Sequence, residues 1–174
     1  MTSMPTLPGE GREAYLLFRV DDRLLHGQVT LGWGLRLGPK RYLIADDALA
    51  GDPITRRLYE AMTPEGSSTE VTSLVSLALG DDPAASVRRT ILLVRDLAGA
   101  AHLLRAGVPG PLNLGGIHAH PGAVEILPFL HLDPDELRLA LELIEEGYEL
   151  EARELPEAES IGGEALRARL AEAV

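Results

Sequence analysis

Residues 18–28, FRVDDRLLHGQ, place His26 close to Arg23 and to two aspartates. The apolar and aromatic run at residues 15–20 is typical of a buried strand. Gly27 begins a stretch in which apolar residues recur at helical spacing. The polar residues therefore occupy a strand-to-helix turn. In an open α/β sheet, ligands bind in the crevice at the carboxyl ends of the strands, so this turn is the first candidate site.

This turn contains the groups needed to move a phosphoryl group. A neutral imidazole is the nucleophile in such transfers, and a helix start offers unpaired backbone N–H groups to a phosphate on His26. We expect Arg23 to disfavour the imidazolium and to bind two phosphoryl oxygens with its planar fork. Asp21 and Asp22 are candidates to hold that fork, or one of them accepts a hydrogen bond from the far ring nitrogen. The sequence leaves this choice open. Gly27 lets the backbone approach the phosphate closely.

The local pattern also fits a plainer interpretation, in which a capping or core histidine follows a surface loop with an internal ion pair. A longer resemblance bears on that choice. The string RVDDRLLHGQV, followed by Trp33, resembles the signature of the IIB subunits of the mannose/fructose/sorbose family of the bacterial phosphoenolpyruvate-dependent sugar phosphotransferase system. Later segments resemble further parts of that family in the same order, and the similarity spans residues 16–156. These segments are DDALAGDP at 46–53, PLNLGGIHAHPG at 111–122 and LHLDPDELRLALELIEEGYELEARELP at 130–156.

The resemblance implies a protein-histidine phosphotransferase. In this family the matching histidine, here His26, accepts the phosphoryl group from a phosphohistidine on the IIA protein or domain. It then passes the group to a sugar held by the membrane subunits IIC and IID. Arg23 matches the arginine that stabilises the phosphoryl group in both transfers, and no metal or cofactor is implied. The resemblance also implies a second loop, which contains Asp46 and Asp47. From the residues themselves, we expect a supporting loop formed by Asp21, Asp22, Gly27 and Gln28. We also expect Gly115 and Gly116, after Asn113, to let the backbone approach a phosphate or the donor protein.

Composition excludes several other classes of protein. The chain has 174 residues, no cysteine and a net charge of −11. Without cysteine there is neither a disulfide framework nor a thiolate phosphocarrier of the kind used by other IIB families. The negative charge argues against nucleic acid as a partner. No apolar run approaches the roughly 20 residues of a spanning helix, and residues 1–12 do not resemble a signal peptide. We therefore expect a cytoplasmic protein, held at the inner face of the membrane through IIC and IID as the resemblance implies.

The rest of the chain alternates strand-like and helix-like segments. This predicts an α/β single domain, with a mainly parallel open sheet of about six to seven strands and helices on both faces. Residues 1–12 are predicted to be a mobile N-terminal extension, and residues 13–174 a single IIB-like phosphocarrier domain. Helix starts are predicted at Asp52, Asp96 and Asp133, and a helical tail at 161–174. The predicted strands are residues 15–20, 41–45, 70–72, 90–94, 112–114, 123–132 and 148–155.

Other hypotheses remain open on the sequence alone. The chain is alternatively a regulatory IIB-like protein that is not coupled to sugar transport. A metal-dependent hydrolase would use His118 and His120, with His131 as a further zinc ligand. The oligomeric state, including a homo-oligomer, is also open. An acidic donor protein is expected to dock on the basic residues around the turn, which are Arg19, Arg23, Arg56 and Arg57.

Overall fold

A computed structural model describes residues 14–82 and 89–174, so the predicted mobile extension at 1–12 lies outside the described residues. Within these ranges the chain folds into a single α/β domain. Seven strands form the main sheet in the order β3-β2-β4-β1-β5-β8-β9, and β6 and β7 form a separate pair. The strands are β1 (Leu17–Asp21), β2 (Arg41–Ala45), β3 (Ser68–Thr72), β4 (Thr90–Val94), β5 (Leu112–Gly116), β6 (Val124–Leu127), β7 (Leu130–Leu132), β8 (Leu150–Ala152) and β9 (Ile161–Gly162).

The main sheet is parallel except at its edge, where β9 runs antiparallel to β8. Strand β1 lies between β4 and β5, with Val20 in register with Val94 on one side and Leu114 on the other. All five residues of β1, β4 and β5 are buried. A strand covered on both faces has this near-continuous burial. The predicted mainly parallel sheet is confirmed.

Helices cover both faces of the sheet, as predicted. A π-helical segment and α1 pack with α2 and α3 on one face, whereas α4, α5, α6 and α7 pack on the other. Among the described helices, none combines the length and the apolar character that a bilayer crossing requires. The helical segments are the π-helix Gln28–Trp33, α1 (Gly34–Leu37), α2 (Asp47–Ala50), α3 (Pro53–Ala61), α4 (Leu74–Ala78), α5 (Leu97–Arg105), α6 (Pro134–Glu145) and α7 (Gly163–Glu172).

The helix starts follow the capping signals in the sequence. Asp52 accepts hydrogen bonds from the first backbone N–H groups of α3, and Asp96 does the same for α5. Asp133 and Glu136 form a complete capping box at the start of α6. Each aspartate satisfies donors that have no partner inside the helix. These predicted starts are confirmed.

Two predicted strands differ from the structure. The prediction that residues 123–132 add one strand to the sheet is wrong, because they form the antiparallel hairpin β6–β7 with a turn at 128–129. Pro128 lacks the N–H that a continuous ladder requires. The predicted strand at 148–155 is limited to β8, since the carbonyl groups of Arg153 and Glu154 accept hydrogen bonds from the Arg19 side chain. Residues 161–162 form β9, so the helical tail begins later than predicted, as α7.

The capping box of α6 gives a test of the fold. Replacing Asp133 by Ala removes the acceptor for Glu136 N, which lies 2.8 Å from Asp133 Oδ1. We expect the free energy of unfolding to fall by about 1 kcal/mol, measured by urea denaturation followed by circular dichroism. Asp135→Ala, in the same helical turn but exposed, is the matched control and should cost less than about 0.5 kcal/mol. Equal losses in the two variants would contradict a specific cap.

Candidate active site

The loop after β1 is anchored by two buried leucines. Leu24 and Leu25 are at most 1% exposed. Leu24 adopts a left-handed backbone conformation with φ 55°, which is unfavourable for a bulky side chain. The Leu24 N–H donates to Asp21 O at 2.9 Å. Burial of its side chain holds this strained turn in place, and the next residues lead directly to His26 at the helix start.

His26 is fixed by a buried carboxylate. Its Nε2 lies 2.9 Å from Asp21 Oδ2, and the Asp21 side chain is fully buried whereas that of His26 is 16% exposed. The sequence left open whether Asp21 or Asp22 orients the ring, and the structure selects Asp21. We also expected Arg23 to be the charged neighbour of the ring, but the charged group in contact with it is Asp21.

Arg19 lies beneath this pair and is itself fully buried. It stands in the middle of β1, on the face of the sheet that packs against Trp33, with its guanidinium 5.9 Å from the ring centroid. Its Nη2 is 2.9 Å from Asp21 Oδ2. A buried guanidinium needs an acceptor for nearly every N–H. Its acceptors are the Asp21 carboxylate, the Asn113 amide oxygen and the backbone carbonyls of Gly115, Arg153 and Glu154.

Sequence reasoning placed Arg19 around the turn, among the basic residues on which an acidic donor protein would dock. That role is wrong for Arg19, because its side chain is 0% exposed. The available signal was its position. Arg19 is a charged residue flanked by Phe18 and Val20 in a strand that is otherwise predicted to be buried. Such a charge has to be paired.

Arg19 and His26 control the ionisation of the Asp21 carboxyl group. Burial raises the pKa of this carboxyl group, but the hydrogen bond from His26 and the charge of Arg19 outweigh burial and hold the pKa below its ordinary value of 3.8. Burial lowers the pKa of Arg19, and Asp21 opposes that shift. Asp21 is therefore a carboxylate at neutral pH, and it accepts hydrogen bonds from both neighbours.

The glycines after β5 leave room for this pair. A side chain at Gly115 would overlap the Arg19 guanidinium, and one at Gly116 would come 3.1 Å from Asp21 Oδ2. Asn113, also buried, accepts from Arg19 Nη1 at 2.8 Å. We predicted that these residues bring backbone close to a phosphate or to the donor. In the structure, Asn113, Gly115 and Gly116 instead contact Arg19 and Asp21, which lie beneath His26.

Arg23 and Gln28 lie on the outer side of the loop. Arg23 Nη2 donates to Gln28 Oε1 at 2.6 Å, and Arg23 Nε is 3.6 Å from Asp21 Oδ1. The Arg23 side chain is 42% exposed, so its guanidinium is accessible to a ligand. Gly27 is exposed, and a side chain there would meet nothing within 4 Å.

The other predicted residues have different partners. Asp22 binds His118, with its Oδ1 2.6 Å from His118 Nδ1 and its Oδ2 accepting from the His118 amide. Asp46 and Asp47 follow β2, which β4 separates from β1. Asp46 caps α2 and pairs with Arg95, and Asp47 accepts from the Leu74 amide. The structure does not bring Asp46 and Asp47 into contact with His26.

The three histidines proposed for a metal-dependent hydrolase do not converge. His118 is paired with Asp22, and His131 Nε2 lies 3.6 Å from Glu125. His120 Nε2 lies 3.1 Å from Glu136 Oε2. A hydrogen bond to the His118 carbonyl, together with Glu136 and Asp133, raises the pKa of His120. His120, Asp133 and Glu136 hold their ligand atoms within 4.8 Å of one another, but both carboxylates already cap α6. This group is an ion pair at a helix start.

Comparisons with known proteins show the family of this chain. The family model of the PTS system sorbose subfamily IIB component matches residues 15–170. The chain belongs to this family. It is therefore a IIB component of a sugar phosphotransferase system, and the resemblance stated from its motifs is confirmed.

Individual relatives extend the match. This IIB chain is 31% identical over 139 residues to the sorbose-specific EIIB component of Klebsiella pneumoniae, covering 79% of this chain and 85% of that protein. It is 26% identical to part of the mannose-specific EIIAB component of Escherichia coli K12, covering 80% of this chain and 44% of that protein. The crystal structure of the IIBSor domain of the Klebsiella pneumoniae sorbose permease superposes with a TM-score of 0.80 at 27% identity, covering 93% of this chain and 99% of that one.

The space at Gly115 gives a test of the buried network in this IIB chain. Gly115→Ala forces a methyl group against Arg19, and we expect it to lower the free energy of unfolding by about 1 to 3 kcal/mol. Gly27→Ala is the matched control, because Gly27 has φ −54° and ψ −41° and open space around it. It should change stability by less than about 1 kcal/mol. Urea denaturation measures both, and a Gly115→Ala protein as stable as the unaltered chain would contradict the packing.

The lowered pKa of Asp21 gives a pH dependence. The native state binds fewer protons than the unfolded state near the ordinary pKa of 3.8. The stability that Asp21 contributes is therefore present above that pH and is lost as the pH falls through the lower, folded-state pKa. We expect the stability difference between the unaltered chain and Asp21→Asn to shrink as the pH falls below 3.8.

Denaturant titrations at a series of pH values measure that difference. The Gly27→Ala protein is a control without a titrating change, and its curve should run parallel to that of the unaltered chain. A stability difference between the unaltered chain and Asp21→Asn that stays constant through the acid range would contradict the linkage.

Proposed function

We propose that this IIB chain is the phosphocarrier between a IIA phosphohistidine and a sugar, with His26 as the carrier residue. The observation on which this rests is the contact between His26 Nε2 and the buried carboxylate of Asp21, at 2.9 Å. A carboxylate only accepts hydrogen bonds, so Nε2 carries a proton and donates it. The lone pair of Nδ1 is then the nucleophile.

The transfer is an exchange of one P–N bond for another. The Nδ1 lone pair attacks the phosphorus of the donor phosphohistidine, the donor P–N bond breaks, and the donor imidazole recovers its electron pair. Asp21 holds the His26 ring by the opposite nitrogen and balances the positive charge that the ring gains. In the second transfer a sugar hydroxyl oxygen forms the new P–O bond, the His26 P–N bond breaks, and the hydroxyl proton leaves to a base. Catalysis is mainly positioning and charge stabilisation.

Arg23 is the proposed clamp for the phosphoryl oxygens. It lies next to Asp21, three residues before His26, and its guanidinium is partly exposed. Its planar fork binds two oxygens at once. The Val29 and Thr30 amides already donate to the His26 carbonyl. The proposed further donors are therefore the N–H groups that precede Val29 at the start of this helix.

The partners are a IIA protein or domain and the membrane subunits IIC and IID. The name of the Escherichia coli relative joins an A and a B component in one protein, which supports a IIA donor. We propose that the chain works in the cytoplasm, at the inner face of the membrane. Arg23 and Arg57 are exposed and Arg56 is partly exposed, and they form the basic side of the proposed docking surface. The relatives above are named as transport-system components, which favours the phosphocarrier over a regulatory role.

The proposal predicts an acid-labile phosphoryl group on His26. The chain is incubated with phosphoenolpyruvate, the general phosphotransferase proteins and a mannose-family IIA, then analysed by intact mass and peptide mapping under alkaline conditions. His26→Ala should abolish the label and retain the fold, as checked by circular dichroism. His102→Ala is the matched control, because His102 is an exposed helical residue, and it should be labelled normally. A label on the His26→Ala protein would contradict the assignment of His26 as the carrier residue.

Arg23 gives a second prediction. Arg23→Lys retains the charge but loses the fork, and we expect single-turnover transfer to slow by about tenfold or more. Arg138→Lys, also exposed but on α6 at the other face of the sheet, is the matched control and should transfer at the unaltered rate. Rapid-quench labelling at saturating phospho-IIA measures both. Equal rates for Arg23→Lys and the unaltered chain would refute the clamp.

A further inference from the structure

A polar chain links the proposed clamp to a segment that sequence reasoning did not assign to the site. Arg23 Nη2 donates to Gln28 Oε1 at 2.6 Å. Gln28 Nε2 in turn donates to Glu154 Oε1 at 3.2 Å. Glu154 lies in the segment that follows β8, 126 residues further along the chain from Gln28. Three side chains from two distant segments therefore meet on the outer side of the His26 loop.

The backbone of Glu154 is held independently of its side chain. Its carbonyl accepts from Arg19 Nη1 at 3.1 Å and from Trp33 Nε1 at 3.0 Å. Arg153 lies on the same ring of Trp33, with its guanidinium 5.6 Å from the centroid. Arg19 and Trp33 therefore fix the position of the Glu154 backbone. The Glu154 carboxylate contacts Gln28 from this fixed position.

The two neighbours of Gln28 determine which way its amide points. A carboxylate accepts hydrogen bonds and does not donate them, whereas a guanidinium donates and does not accept. The amide between them has to turn its nitrogen to Glu154 and its oxygen to Arg23. Without Glu154 the amide is free to rotate and to present its NH₂ group to Arg23, which gives no hydrogen bond.

We propose that Glu154 is a positioning residue for phosphoryl transfer. It orients Gln28, and Gln28 holds the Arg23 guanidinium beside Asp21 and His26 before the phosphoryl group arrives. This inference rests on the proposed function, since it needs Arg23 to act on the transferring group. Its role is preorganisation: an arginine held near its working position loses less conformational freedom on reaching the transition state.

The test separates positioning from docking and from folding. Single-turnover transfer from phospho-IIA is measured over a range of donor concentrations. Glu154→Ala should lower the maximal rate roughly fivefold, the equivalent of one lost hydrogen bond, and leave the donor concentration at half-maximal rate unchanged. Glu154→Gln keeps an amide oxygen for Gln28 and should restore most of the rate. Glu157→Ala, an exposed glutamate in the same segment, is the matched control and should transfer at the unaltered rate.

A double-mutant cycle tests whether the effect passes through Gln28. In a Gln28→Ala background, adding Glu154→Ala should produce no further loss, because the link is already broken. Additive losses would overturn the inference, as would an unaltered maximal rate in Glu154→Ala or an effect on half-saturation alone. Each of these outcomes leaves His26 as the carrier. Failure of the unaltered chain to accept a label on His26 would overturn the proposed function, and this inference with it.

Unfolding curves complete the test. Circular dichroism should show that Glu154→Ala unfolds at the same urea concentration as the unaltered chain, because the contacts of Arg19 and Trp33 are with the Glu154 backbone. A slow Glu154→Ala protein with a matching loss of stability would assign Glu154 a structural role and overturn the inference.

Discussion

The buried ion pair between Arg19 and Asp21 connects the interior of the sheet to the loop that carries His26. Desolvating two charges is costly, and a buried pair is tolerated where the geometry is good and the remaining polar atoms have partners. Here the partners come from β5 and from the segment after β8. Space for this pair requires glycine at positions 115 and 116. Strand β8 ends early because the Arg153 and Glu154 carbonyl groups bind Arg19. The same pair holds the Asp21 carboxylate in place beneath His26.

The ion pair also distributes charge across the site. Arg19 compensates Asp21 inside the protein, so Asp21 binds the His26 ring while the partly exposed guanidinium of Arg23 faces outward. Two arginines four residues apart therefore have different tasks. Arg19 is buried, and all its side-chain N–H groups point at protein oxygens. The Arg23 guanidinium is held by a single close hydrogen bond, from Nη2 to Gln28, and remains accessible to an anion.

Much of the fold was predictable because its signals are local. Asp52, Asp96 and Asp133 cap the helices they were expected to cap, and the apolar run at β4 is a central strand. The role of Arg19 was not predictable in this way, since all of its acceptors except Asp21 lie 94 to 135 residues away. The choice between Asp21 and Asp22 stayed open for the same reason. Asp22 is bound to His118, 96 residues later, and no local sequence pattern predicts that contact.

Trp33 lies between Arg19 and Arg153, with its N–H bound to the Glu154 carbonyl. It is the only tryptophan of the chain. Indole emission depends on nearby charges and on hydrogen bonding of the ring, so the fluorescence of this protein originates within the network that supports His26. We therefore expect a change in this network to alter the emission of Trp33, which gives the proposed transfer an optical readout that needs neither a dye nor an isotope.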